Sequence, residues 1–313
     1  MPEEKPFTIS VVPEESESLA ELSKRTARRD QLLNKRFGFS FDLDNPGEFP
    51  IQEVINPELK QELFTRLVSA MYQLTETQGI SLSANLLDRL LIVNYSTFER
   101  IYQGETNQTL KDNLLGITFG GRLCFINMIE LQRRCQRKGI DPNVQLQETG
   151  IHELWHSVDF MQILTPSDPK YREWEIVFPL RAGLQIEHPE EDKNSDVNIG
   201  LHCLNEGLKT YLTRETFKLA GVDIPPFVYN GQLKIIDLLI SEIGPSPFFQ
   251  ASFQRHGMRI LSDELNKKFG PNMLKNLSLA LYKDWAEFDE NFYTARTLIT
   301  GRLQQPAKTP INV

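Results

Sequence analysis

The chain has 313 residues, 40% of them hydrophobic and 24% charged, which excludes wholesale disorder and leaves enough chain for two domains, or one large one, without disulfide staples. Its 34 Lys and Arg against 42 Asp and Glu give a net charge of −8, arguing against a nucleic-acid footprint spread over the surface. Three cysteines, Cys124, Cys135 and Cys203, form no CxxC pair, a usage that suits a reducing compartment rather than a disulfide framework.

The N-terminus, MPEEKPFTIS, is acidic and lacks the basic start and apolar core of a signal peptide. Residues 1–13 read as an extended tail, and Glu14 to about Lys35 as a charged helix or arm with a narrow apolar stripe at Leu19, Leu22, Leu32 and Leu33. A firmer helix is predicted from Pro57 to about Gln78, with Asn56 as N-cap and Leu63, Leu67, Met71 and Leu74 along one face. Leu90 to Asn94 reads as a buried strand. Ile117-Thr118-Phe119 and Arg122 to Ile126, around Gly120-Gly121, read as a hairpin.

Asp141-Pro142 carries a cap followed by a first-turn proline and predicts a helix to about Leu164, stopped by Pro166 and Pro169. Residues 165–200 read as a long connection with an acidic run from Glu187 to Asp192. From Leu201 onward the pattern is helical, broken near Pro225-Pro226, Pro245 to Pro247 and Gly270-Pro271. The longest apolar stretch, Leu233 to Ile243, is interrupted by Lys234, Asp237 and Glu242, so no membrane span is expected. The expectation is a soluble cytoplasmic α+β protein with no nucleic-acid or membrane partner. It comprises a charged arm (1–36), a mixed αβ lobe with a small sheet (37–164) and a mainly helical lobe (165–313).

The chemistry concentrates in His152-Glu153-Leu154-Trp155-His156. Two histidines at i and i+4 project from one helix face, so both imidazoles can reach a single metal ion. Glu153 lies about 100° round the helix, too far aside to be a third ligand of that face yet placed to act on a water. With five histidines in the chain, an accidental HExxH is expected on the order of 0.01 times. Ile151, Trp155, Val158 and Met161 recur near helical spacing and predict a core-packed face beside the histidines.

A catalytic zinc takes three protein ligands. The extended pattern HExxHxxGxxH is absent, since Asp159 and Gln162 occupy its last two positions. The leading third ligand is Glu206, in Leu204-Asn205-Glu206-Gly207, 50 residues after His156 on a helix with a stripe of Leu201, Leu204, Leu208 and Tyr211 or Leu212. His202, one turn earlier, is an alternative ligand or a partner that orients the ligands. Asp159 could accept an N–H from a ligand imidazole or cap a neighbouring loop.

HELWH at 152–156 followed by Asn205-Glu206 resembles the gluzincin branch of the zincin metallopeptidases, over roughly residues 115–215. The resemblance implies a zincin-like fold holding one Zn²⁺ per chain through His152, His156 and Glu206. It implies Glu153 as general base, a peptide or protein substrate, and an upstream edge strand, here Arg122–Asn127, that aligns it. His156-Ser-Val-Asp159 is similar to the HExxHxxD of anthrax lethal factor-like peptidases, whose ligand segment is loosely echoed by Ala286-Glu287-Phe288, making Glu287 or Glu290 a minority alternative. Zincins commonly supply a Tyr or His to stabilise the oxyanion, and Tyr211, Tyr229, His256, Tyr282 and Tyr293 all lie downstream. The alternative to a peptidase is a catalytically inactive zincin-fold binding or regulatory module.

Overall fold

The computed structural model describes residues 7–10, 53–82, 86–106, 109–110, 114–119, 123–159, 161–165, 178–186, 196–254 and 256–303. The expected arm at 14–35, the Gly120-Gly121 turn, Arg122 and the acidic run at 187–192 lie outside them. The described residues are mostly helical, with a small three-stranded mixed sheet and a separate four-stranded sheet, an α+β architecture. It divides into two compact units, one of Met1–Ala182 with Leu212–Phe227 and one of Gly183–Tyr211 with Val228–Val313.

In the first unit, α1 (Pro57–Glu76) starts as its sequence dictates: Asn56 Oδ1 accepts the Leu59 N–H at 2.7 Å and Pro57 occupies the first turn. Its buried stripe is Phe64, Leu67, Val68 and Met71, while Leu63 and Leu74 are only half-buried. The sheet consists of β2 (Leu90–Val93), β3 (Gly116–Phe119) and β4 (Leu123–Asn127) in the order β2-β4-β3, with β2 parallel and β3 antiparallel to β4. Alternation sorts its faces. Leu91, Val93, Leu123 and Phe125 pack with Phe98, Ile101 and Tyr102 of α2 (Tyr95–Thr106), against which Ile117 also rests.

The opposite face of the sheet receives α4 (Pro142–Ser157), which follows α3 (Met128–Lys138) and packs on β3 and β4. Gly150 permits the close approach: a Cβ there would stand 2.6 Å from the Phe64 ring and 3.1 Å from Leu90. Asp141 accepts the Asn143 N–H at 2.7 Å, as the Asp-Pro start predicts.

Three expectations are corrected. The helix ends at Ser157 rather than Leu164, because Met161–Thr165 forms β5. β5 pairs antiparallel with β1 (Phe7–Ser10) and β6 (Phe178–Ala182), so sheet partners distant in sequence outcompete helix continuation. Ile151 and Trp155 are fully buried as expected, but Val158 caps the helix and Met161 lies in the strand. Second, Leu123–Asn127 is the central strand, buried at every position, and β3 is the outer one; a hairpin pattern does not say which arm gains another neighbour. Third, the expected long connection contains β6 and β7 (Gln185–Ile186), and the next helix begins at Asp196.

That helix, α5 (Asp196–Ala220), belongs to both units: its segment to Tyr211 lies in the second and the rest in the first. In the second unit Lys209 is fully buried, its Nζ donating to Ser252 Oγ at 2.6 Å and standing 5.3 Å from the Phe253 ring centroid. The remaining helices are α6 (Asn230–Ile243), α7 (Ser246–Phe253), α8 (Gly257–Phe269), α9 (Met273–Ala286) and α10 (Tyr293–Leu303). Breaks fall near Pro225-Pro226, Pro245 and Gly270, as the sequence predicts. Cys124, Cys135 and Cys203 are free, buried thiols. None of the described helices is long and apolar enough to cross a membrane.

Candidate metal centre

Helix α4 brings His152 and His156 together as the i, i+4 spacing requires. Their Nε2 atoms stand 3.3 Å apart, with ring centroids separated by 5.0 Å. Two ligand atoms at about 2.05 Å from a tetrahedral zinc are separated by about 3.3–3.4 Å, so the imidazoles stand at the edge length such an ion needs. The same separation also permits an N–H···N bond between neutral rings.

Glu206, on α5, completes the grouping: among the described residues, ligand atoms of His152, His156 and Glu206 all lie within 4.8 Å of one another. His152 and Glu206 are buried, at 6% and 7% exposure. Two imidazoles and a carboxylate form a donor set suited to Zn²⁺ with a fourth position for a small molecule. Glu287 and Glu290, the minority alternatives, are exposed and outside this grouping. His202 is half-exposed, with its Nδ1 3.6 Å from Glu206 Oε1; it flanks the carboxylate and is not part of the donor group.

Two carboxylates flank the histidines along the chain. Asp159 Oδ2 lies 3.9 Å from His156 Nδ1 with only 1% of its side chain exposed, close enough to favour an imidazole that presents Nε2 to the donor group, though longer than a direct hydrogen bond. Glu148, one turn before His152, is buried and takes hydrogen bonds from Gln145 Nε2 at 2.7 Å and Thr149 Oγ1 at 3.3 Å. Burial pushes its carboxyl above the usual range, opposed chiefly by the charge of His152. Glu148 did not figure among the sequence candidates, yet its i, i+4 relation to His152 was legible in Glu148-Thr-Gly-Ile-His152.

Glu153 reaches β3. Thr118 Oγ1 donates to Glu153 Oε2 at 2.7 Å and also lies 3.1 Å from the Glu153 carbonyl oxygen. Cys124 Sγ is 3.8 Å from the same hydroxyl, and burial followed by the Glu153 charge raises that thiol far above its ordinary value. On α4, Trp155 is fully buried and its indole N–H donates to Thr216 Oγ1 at 3.1 Å. Thr216 and Glu206 share one continuous helix, about 15 Å apart along the axis and about 80° apart around it, so this bond ties α4 to the helix that also carries the carboxylate.

On α5, Thr210 is buried and bonds back to the Glu206 carbonyl at 2.9 Å. Of the oxyanion candidates, Tyr211 is half-buried on α5, Tyr229 half-buried before α6, and Tyr282 half-buried on α9; His256 is exposed before α8 and Tyr293 exposed at the start of α10. No protein family, curated protein or solved structure matches this chain.

Proposed function

We propose that the chain is a zinc-dependent metallopeptidase of zincin-like fold, with Glu153 as general base. The observation that carries the reading is the convergence of His152, His156 and Glu206, with a carboxylate beside the two histidines on the same helix. His152, His156 and Glu206 would hold one Zn²⁺ per chain. When bound, the ion supplies Lewis acidity that polarises the scissile carbonyl and acidifies a water.

The chain's own residues do the rest. Glu153 takes a proton from the attacking water and returns it to the leaving amine. Asp159 and Glu148 hold the imidazoles so that one nitrogen of each faces the centre. The burial of His152 and Glu206 limits water around the donors, which strengthens electrostatic interactions there. The substrate class is peptide or protein, and β3, as the outer strand of the sheet beside Glu153, is the segment of the described sheet positioned to pair with an extended chain.

Two measurements on identically purified proteins test this: zinc per chain by elemental analysis, and cleavage of a peptide library. Wild type should carry about one zinc and cleave. Glu153→Gln should keep the metal and lose turnover by on the order of 10²–10⁴-fold. Undiminished turnover in that variant removes Glu153 from the chemistry, and a wild type without zinc removes the metallopeptidase.

A further inference from the structure

We infer that the outer strand β3 orients the carboxylate of Glu153, with Thr118 anchoring one oxygen and Gly116 providing the space in which the side chain lies. The inference deepens the peptidase reading and rests on it for the role of Glu153.

Residues two apart in a strand share a face. Ile117 rests against the α2 core, so Gly116 and Thr118 are turned to the other face, where α4 lies. Both meet Glu153 there. A Cβ built on Gly116 would stand 2.8 Å from Glu153 Cγ and 2.9 Å from Oε1, so any larger residue displaces the side chain. Thr118 Oγ1 binds the other oxygen, Oε2, at 2.7 Å, a charge-assisted distance. One oxygen is thereby held and the other left to work.

The hydroxyl has a single proton to give and two acceptors within reach, the carboxylate at 2.7 Å and the Glu153 carbonyl at 3.1 Å. The shorter contact, to a charged acceptor, takes it. Cys124, which burial keeps as a thiol, can donate S–H to Thr118 Oγ1, leaving the hydroxyl proton to Glu153. A β-branched residue suits a strand on shape alone, and valine would serve as well there. What valine cannot supply is the hydrogen bond. Thr118 is therefore a positioning residue, acting on substrate only through Glu153.

The test uses the zinc-loaded full chain with Thr118→Val, Thr118→Ser and Gly116→Ala. Two readouts are taken: crystal structures for the orientation of the Glu153 carboxylate, and kcat and KM on the peptide that wild type cleaves best. Zinc per chain serves as the folding control. In Thr118→Val the carboxylate should leave β3 and kcat should fall about 10–100-fold with KM within about twofold, since a misplacement near 1 Å costs about that much. Thr118→Ser should restore both, and Gly116→Ala should shift the carboxylate even with the hydroxyl present. A carboxylate unmoved in Thr118→Val, or a kcat equal to wild type, overturns the inference and leaves Glu153 as base untouched. If wild type cleaves no peptide while the Val variant still releases the carboxylate, the peptidase reading falls and the anchoring stands.

Discussion

Helices α4 and α5 carry the donor atoms between them, and they secure them in different ways. On α4 the two histidines are one turn apart in sequence, so the helix itself brings their Nε2 atoms to 3.3 Å, with Asp159 3.9 Å from the His156 ring and Glu148 one turn before His152. On α5 Glu206 is a single carboxylate whose position depends on where a 25-residue helix lies and how it is rotated. That helix is held by polar groups inside the protein: Thr216 accepts the Trp155 N–H, and Lys209 grips Ser252. A two-residue site needs only a helix, whereas the third ligand needs tertiary structure.

The largest expected effect is on the tertiary half. Glu206→Ala should reduce zinc from about one per chain to a small fraction, measured by elemental analysis after gel filtration. Full retention would show that the histidines recruit a different third donor, with His202 the nearest alternative at 3.6 Å from the lost carboxylate.

Glu148→Gln probes the local half and should act more mildly. Removing an outer carboxylate typically weakens metal affinity by about 10–100-fold, read by competition with a chelator. An unchanged affinity would mean that the His152 ring is held by the helix alone.

Next comes the bond between α4 and α5. Trp155→Phe removes the buried donor to Thr216 and leaves a small void, which should lower unfolding free energy by about 2 kcal/mol in urea. Zinc affinity should fall with it if that bond positions Glu206. Lost stability with full zinc affinity would separate the two.

The smallest effect lies away from the donors. Backbone N–H groups of Tyr293 and then Asn291 hold the exposed Asp289 carboxyl below its ordinary 3.8. A depressed folded-state value stabilises above the ordinary value and is lost as pH falls through the lowered one. Asp289→Asn should therefore shift the urea midpoint slightly at pH 7, and the difference from wild type should vanish in strong acid. A gap that persists there would point to lost geometry rather than charge.

The same contrast explains what was legible in the sequence. The Asn56-Pro57 and Asp141-Pro142 starts and the HELWH face rest on interactions within about four residues and the hairpin arms on pairs no more than ten apart, so their placement follows from spacing. Where that helix ends does not: Met161–Thr165 continues an apolar periodicity, but Phe7–Ser10, over 150 residues away, claims it as a strand. The central place of Leu123–Asn127 likewise depends on Leu90–Val93 choosing it as a parallel neighbour. Glu206 could be named from its Asn-Glu pair and apolar stripe, whereas Thr118 and Gly116 could not, because their contact with Glu153 crosses from strand to helix.

The three free cysteines turn the chain into its own stopwatch. Cys124 and Cys135 lie in the first unit and Cys203 in the second, all buried, and burial raises the Cys203 thiol to about 12. A thiol reagent should find the native protein almost inert and label each site only as often as its surroundings open. Equal labelling rates at Cys124 and Cys203 would mean that the two sites open equally often. Unequal rates would rank them, with Cys135 a second reporter from the first unit.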